Sequence, residues 1–343
     1  MQRWWRLSGR KLAFMSIAAL ACHCLGSCVE KADDKAPGEE QTGAAHDVSE
    51  LAAGDGGAGI DAAGAMTEVF AFAVIADPHI TSKDAHYART KTVIAWLNDN
   101  AKARSIEFVW VLGDIGWHKG LPLARELLET LQIPYLPVLG DNEIQNGDQE
   151  EEFDQVYGPT FKSLNGKLAN FRRAAVPVSH PVTKQVYRLQ NFSFDHRGVH
   201  FVGLDFNSRV KHEYLGEQDS LYDFKGGTWP WLVDDIKSLH GRAQESVLLF
   251  SHIPLHASPG AFDVAEMATV TSLTAPRADL VYANFAGHYH DDLDLHPGGS
   301  GYEVFVTDAI WDDEIRVRLV SVLSDGQRFE YQQQLVSVPF GQP

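Results

Sequence analysis

Three short apolar runs, each closing on an aspartate, alternate with helix-like stretches in the first part of the folded chain. They are "EVFAFAVIAD" (68–77), "IEFVWVLGD" (106–114) and "IPYLPVLGD" (133–141). Between them, "RTKTVIAWLNDNAKAR" (89–104) has helical spacing at Val93, Trp96, Leu97 and Ala101, and "LARELLETL" (123–131) is also helical. Apolar runs without strict alternation are what strands buried on both faces look like. A β-α-β-α-β succession of this kind predicts an α/β fold with parallel strands. Further strands are expected at 200–206, 246–252, 280–288, 302–308 and 315–322, with a helix near 229–240 carrying Trp231, Leu232, Ile236 and Leu239.

Several of these strands end in residues that can hold a metal. Asp77 and His79 close the first, Asp114 the second, Asp141 and Asn142 the third, His252 a fourth, and His288 and His290 a fifth. Ligands of open α/β sheets gather beyond the carboxyl ends of the strands. Taken alone, a His-x-His such as His288-Tyr289-His290 reads more readily as a surface loop than as a pair of metal ligands. Five strand ends delivering oxygen and imidazole donors to one edge favour a metal centre assembled from the whole chain.

The chain of 343 residues carries a formal charge of −17 and no basic stripe, so binding nucleic acid through its phosphates is not expected. Residues 1–28 have a basic start (Arg3, Arg6, Arg10, Lys11), an apolar run from Leu12 to Cys22, and then Leu25-Gly26-Ser27-Cys28. This pattern is an export signal. Its end resembles a bacterial lipobox, which would lipidate Cys28; an ordinary cleaved signal is the other reading. On the first, the protein is a cell-envelope lipoprotein, periplasmic or on the outer surface, touching membrane only through Cys28. Residues 29–66 are acidic and rich in Gly and Ala, which predicts a flexible linker to a domain over 67–343. All three cysteines (Cys22, Cys24, Cys28) lie in the leader, so a metal in the domain must be held by His, Asp, Glu or Asn.

Taken together, the motifs resemble the calcineurin-like metallophosphoesterases, the superfamily of purple acid phosphatases, cyclic-nucleotide phosphodiesterases and protein phosphatases. The family pattern of D-x-H, G-D, G-N-H-[DE], an isolated H and G-H-x-H reads here as Asp77-Pro78-His79, Gly113-Asp114, Gly140-Asp141-Asn142-Glu143, His252 and Gly287-His288-Tyr289-His290, over roughly 67–322. The stretch 187–206 also resembles the strand pair these enzymes carry before the isolated histidine. The resemblance implies two packed mixed β-sheets flanked by helices. It implies two divalent or mixed-valence transition metal ions (Mn, Fe or Zn). One would be held by Asp77, His79, Asp114 and His290, the other by Asp114, Asp141 or Asn142, His252 and His288. The implied reaction is hydrolysis of a phosphoric mono- or diester by a metal-bridged hydroxide.

The third motif departs from the family. Asp141 stands where the asparagine ligand belongs, and Asn142 where the family has a histidine that contacts phosphate and helps protonate the leaving group. A one-residue shift would make Asn142 the ligand. Either way that histidine is missing, and an asparagine cannot act as a general acid near neutral pH. Weak turnover of esters with poor leaving groups is the expected consequence, unless His118 in "GDIGWHKG" substitutes; an exposed loop histidine is the other reading of it. The departure also keeps open an inactive descendant acting as a binding module, and a single-metal hydrolase. Trp117 replaces the tyrosine that ligates iron in purple acid phosphatases, so no purple colour is expected.

Other residues admit two readings each. His256 either lines the site or sits in a plain loop. Asp205, Asn207 and Arg209 either face the cleft or form a structural salt bridge. Asp291, Asp292 and Asp294 read as a solvated turn, or one of them orients a ligating histidine. Trp96, Trp229 and Trp231 read as packing residues. The segment 143–185, rich in charge, Asn and Gly, is expected to form loops that shape the substrate pocket.

Overall fold

The structure, a computed structural model, describes residues 65–341 apart from 118, 145–148, 175–176, 180–183, 185, 210–226, 241–245, 259–260 and 312–313. The leader, Cys28, nearly all of the linker and His118 therefore lie outside the described residues. In chain order the elements are β1 (Thr67–Ala76), α1 (Ala85–Asn100), β2 (Ile106–Leu112), α2 (Leu121–Leu128), β3 (Tyr135–Val138), α3 (Gln149–Asn165) and β4 (Ala169–Arg173). The pair β5 (Val178–Ser179) and β6 (Val186–Tyr187) follows, then β7 (Phe192–His196), β8 (Val199–Leu204), α4 (Thr228–Ser238) and β9 (Ser246–Ser251). The chain continues through α5 (Val264–Thr274), β10 (Val281–Ala286), β11 (Leu293–Leu295), β12 (Glu303–Val306), β13 (Arg316–Ser324) and β14 (Phe329–Ser337).

Two mixed sheets result, flanked by helices as expected. One has the order β14-β13-β1-β2-β3, the other β11-β12-β10-β9-β8-β7-β4. Strands β1, β2 and β3 run parallel in the first, and β8, β9, β10 and β12 in the second. The inner faces meet through aromatic side chains. Phe72 of β1 makes edge contacts with Phe201, Phe250 and Phe285 at 5.7–5.8 Å, and Trp110 of β2 stacks on Phe250 at 3.7 Å. Rings of this size dominate the burial that holds two sheets face to face. On the outer face of the first sheet, Val93 and Leu97 of α1 and Leu127 and Leu128 of α2 are buried, so its central strands are covered on both sides, as their near-continuous apolar runs require.

The elements differ from the sequence reading in two informative places. Helix α1 begins at Ala85, not near 89, because Asp84 caps it by accepting from the backbone N–H groups of His86 and Tyr87. The expectation of loops across 143–185 is overturned over 149–165 and 169–173. Helix α3 buries Phe153, Tyr157, Phe161 and Leu164 in the main core, and β4 pairs with β7. Those four residues recur at helical spacing. The acidic first turn and the internal Gly158-Pro159 obscure that pattern.

Candidate metal centre

The carboxyl ends of β1, β2 and β3 in one sheet meet those of β9 and β10 in the other. The junction is stitched across the sheets by the His288 N–H, which donates to Asp77 Oδ2 (3.0 Å), and by the His252 ring, which reaches the Leu112 carbonyl (2.9 Å); within the second sheet the Gly287 N–H donates to the His252 carbonyl (2.9 Å). Two glycines that open the motifs are required by this crowding. A Cβ on Gly140 would lie 2.1 Å from the Asp114 nitrogen, and one on Gly287 would lie 2.5 Å from Asp77 Oδ2. The motif glycines thus make room for donors arriving from other strands.

Among the described residues the donors form two groups, Asp77, His79 and His290, and Asp141, His252 and His288, joined by a third that overlaps both, Asp77, Asp114 and His252. Asp114 stands between them: Oδ2 lies 3.4 Å from His79 Nε2 and Oδ1 lies 3.3 Å from His252 Nε2. Asp77, His79, Asp114, Asp141 and His252 are buried, while His288 and His290 are partly exposed and mark the open side. Nine described non-glycine residues have positive φ, and Asp77, His79, Asp114, His288 and His290 are five of them. Left-handed backbone is unfavourable for such residues and gathers where function over-determines it.

Burial and close charges perturb the whole cluster. Burial pushes the Asp114 carboxyl well above its ordinary range; His252 opposes this, and Asp141, Glu143 and Asp77 add to it. Burial also acts upward on Asp77 and Asp141, but neighbouring imidazoles outweigh it and hold both carboxyls below the usual range, His290 acting first on Asp77 and His252 on Asp141. Burial pulls His79 down to about 4. His252 moves the other way: burial lowers it, and Asp114, Asp141 and Asp77 raise it well above an ordinary imidazole. Asp77 Oδ1 is buried and makes no hydrogen bond among the described residues, with imidazole nitrogens of His290, His252 and His79 at 3.4, 3.8 and 3.9 Å. His79 Nε2 and His290 Nε2 face each other at 3.3 Å. Two donors each about 2.0–2.2 Å from one ion lie about 3–3.5 Å apart, so the 3.3 and 3.4 Å spacings to His290 fit metal ligands, while those of Asp77 Oδ1 to His252 and His79 are wider. A mixed carboxylate and imidazole set suits Mn, Fe or Zn.

Asp141 and Asn142 take different places. Asp141 Oδ1 lies 2.7 Å from His252 Nε2 and 3.4 Å from His288 Nδ1. The Asn142 amide instead donates to Asp114 Oδ2 (2.7 Å) and lies 3.1 Å from His79 Nδ1, while its backbone N–H donates to Asp114 Oδ1 (3.0 Å). Asn142 thus clamps Asp114. Two neighbours of the cluster carried no assignment in the sequence reading. Glu143 is fully buried and accepts from the backbone N–H groups of Asp114 (3.0 Å), Gly116 (3.1 Å) and Gly140 (2.7 Å), tying the β2 and β3 loops together. Its place in G-D-N-E was the available signal. Trp311 packs on His79 and His290, and no motif surrounds it.

The remaining candidates sort as follows. Trp117 is 39% exposed, its ring 6.0 Å from that of His79. His256 stands outside both donor groups; its Nε2 lies 3.0 Å from the Tyr289 hydroxyl, and it lines a groove of about 640 Å³ with Met267 and Leu295. Arg209 donates to both oxygens of buried Asp205 at 2.6 and 2.8 Å, the salt-bridge reading, and Asn207 donates to the Leu139 carbonyl at 2.9 Å. The solvated-turn reading is overturned for Asp292. Its carboxylate is almost fully buried, accepting from Arg316 (2.8 Å) and from the Asp308 N–H (3.1 Å). Trp96, Trp229 and Trp231 are partly buried against the apolar clusters.

Comparison with known proteins agrees with this architecture. The profile of the calcineurin-like phosphoesterase family matches residues 70–292, about two thirds of the chain. The chain belongs to the calcineurin-like phosphoesterase family. As a calcineurin-like phosphoesterase it is a metal-dependent hydrolase, with Asp and His groups placed to bind the metal. Solved structures resemble it at low identity. A provisionally named 5′-nucleotidase from Staphylococcus aureus, solved with α-ketoglutarate, is 12% identical with a TM-score of 0.49 over 80% of this chain and 55% of its own. The sulfate thiohydrolase SoxB of Thermus thermophilus, solved with glycerol, is 14% identical with a TM-score of 0.42 over 76% of this chain and 43% of its own. The protein TT1561, also of Thermus thermophilus, is 11% identical with a TM-score of 0.43 over 79% of this chain and all of its own. No curated protein matches the chain.

Proposed function

We propose that this calcineurin-like phosphoesterase hydrolyses phosphoric esters with a dinuclear metal centre. Asp77, His79, Asp114 and His290 would hold one ion, and Asp114, Asp141, His252 and His288 the other. The observation that carries this reading is the position of Asp114, whose two oxygens face the two imidazole groups separately. Asp141 is preferred over Asn142 as a ligand because it sits against His252 and His288. Such ions, when bound, polarise a phosphoryl oxygen and lower the pKa of a bound water.

The chain's own residues do the rest. Asn142 fixes the shared carboxylate through two hydrogen bonds, one from its backbone and one from its amide. It has no proton to give a leaving group. The partly exposed His288 and His290 define the side from which the ester enters, with Trp117 as an apolar wall beside His79. His118, outside the described residues, is the imidazole that the sequence offers as a substitute acid. We also place the enzyme outside the cytoplasm, tethered through a lipid on Cys28 by the acidic linker. The basic-then-apolar leader and the confinement of all three cysteines to it support this placement.

An aryl phosphate series spanning leaving-group pKa, assayed as mono- and diesters with Mn, Fe or Zn, tests the reading. Rates that fall steeply as the leaving group becomes more basic are expected. A flat dependence contradicts the missing acid, and no hydrolysis with any of the three metals contradicts the function.

A further inference from the structure

Metal-ligating histidines ordinarily have their second ring nitrogen hydrogen-bonded, which fixes the ring. For His290 the described contacts run through Nε2, toward His79 Nε2 at 3.3 Å and Asp77 Oδ1 at 3.4 Å, and no hydrogen bond from Nδ1 is found among the described residues. What fixes the ring is an aromatic corner. The Trp311 indole meets His290 edge-on at 5.2 Å and 83°, and His79 at 5.8 Å and 85°. His79 and His290 are themselves perpendicular at 5.2 Å and 88°. Behind them, His86 stacks on the indole at 5.1 Å and 7°, and His86 Nδ1 lies 3.1 Å from the His79 carbonyl.

The indole is itself held. Ala309 bridges to Ala76, the Ile310 N–H donates to the Ala76 carbonyl (3.1 Å), and Arg89 Nε donates to the Ile310 carbonyl (3.3 Å). Trp311 is therefore anchored to the residue immediately before Asp77, so three donors of one group and the indole share a frame. Its Nε1 is buried and has no hydrogen-bond partner among the described residues, so its contacts there are ring packing. Trp311 lies beyond the matched family segment, which ends at residue 292.

We propose that Trp311 is a positioning residue: by fixing the His79 and His290 rings it sets the affinity of the Asp77–His79–His290 group for its ion, leaving the Asp141–His252–His288 group alone. The proposal rests on the dinuclear reading. The test is Mn²⁺ uptake by the full chain at buffered free metal, with metal per chain read by elemental analysis. Outer partners of ligating histidines are worth about 10–100-fold in metal affinity, so Trp311→Ala is expected to weaken one ion by that factor. The second ion should keep its wild-type affinity, and Trp311→Phe, which keeps a ring and loses only an N–H with no partner among the described residues, should restore the first. His86→Ala, removing the ring stacked on the indole and its contact with the His79 carbonyl, should shift the same ion by less. Unchanged affinities in Trp311→Ala, equal weakening of both ions, or a phenylalanine variant as weak as the alanine one would overturn the proposal.

Should the wild-type chain take up none of Mn, Fe and Zn, the dinuclear reading fails. The positioning role is then decided by histidine NMR of the metal-free protein. Ring-current shifts on His79 and His290 that collapse in Trp311→Ala sustain it, and unchanged shifts refute it.

Discussion

Glu143→Ala should remove the clamp that joins two of the donor-bearing loops. The carboxylate accepts from three buried backbone N–H groups, those of Asp114, Gly116 and Gly140, at 3.0, 3.1 and 2.7 Å. Each buried donor left unsatisfied costs about 1–3 kcal/mol, and with some relief from water entering the hole the sum is about 3–6 kcal/mol. A domain is stable by about 5–15 kcal/mol, so this loss is a large part of the whole. Glu143→Gln keeps one acceptor oxygen, which can serve the Asp114 and Gly140 donors together, and sets an amide NH₂ against Gly116. Its loss should be about 1–3 kcal/mol. Urea unfolding with linear extrapolation reads both, provided the slope is unchanged. Two variants within about 0.5 kcal/mol of wild type, the range of ordinary surface substitutions, would refute the clamp. A glutamine variant as damaging as the alanine one would also refute the ranking by lost acceptors.

Other outcomes follow from the same contacts. Asn142→His restores the proton donor of the family pattern. It should raise turnover of esters with poor leaving groups by about 10²–10⁴ relative to activated esters, the loss of the Asn142 amide bond to Asp114 falling on both alike, read from kcat across a phenyl phosphate series. Arg209→Met strands the buried Asp205 carboxylate and should cost about 3–5 kcal/mol in urea unfolding. His200 is buried between Asp195 (2.6 Å) and Asp235 (2.8 Å); burial opposes its protonation, but the two carboxylates raise it above an ordinary imidazole. The folded state then binds a proton that the unfolded state releases. This contribution is fully present below the unfolded imidazole value of about 6.5 and is lost as pH rises through the folded value. Urea midpoints of wild type and His200→Gln should converge as pH rises; a gap that stays constant from pH 6 to 9 would contradict it.

Much of the candidate site was legible because its parts are local. Asp77, Asp114, Asp141, His252 and His288 each follow a strand, three of them directly behind a glycine that the crowding demands. Their convergence needed only the rule that parallel strands present their carboxyl ends on one edge. The choice between Asp141 and Asn142 was not legible, since neighbouring residues can point either way until the loop is folded. Trp311 gave no local signal: its significance comes from the Ala309 bridge to β1, a contact between residues more than two hundred positions apart. Asp292 looked like one of several acidic turn residues. Its partners Arg316 and Arg318 lie on β13, which only the packing of the two sheets brings near. Helix α3 carried its buried spacing openly, but the charged start and Pro159 disguised it as a loop.

The central claim is that two ions share Asp114. Elemental mass spectrometry on purified chain supplied with Mn, Fe and Zn tests it most directly. Two transition-metal ions per chain, falling to one or none in Asp114→Ala, is the predicted result. Substoichiometric metal in the wild-type chain, or two ions retained without Asp114, would contradict it.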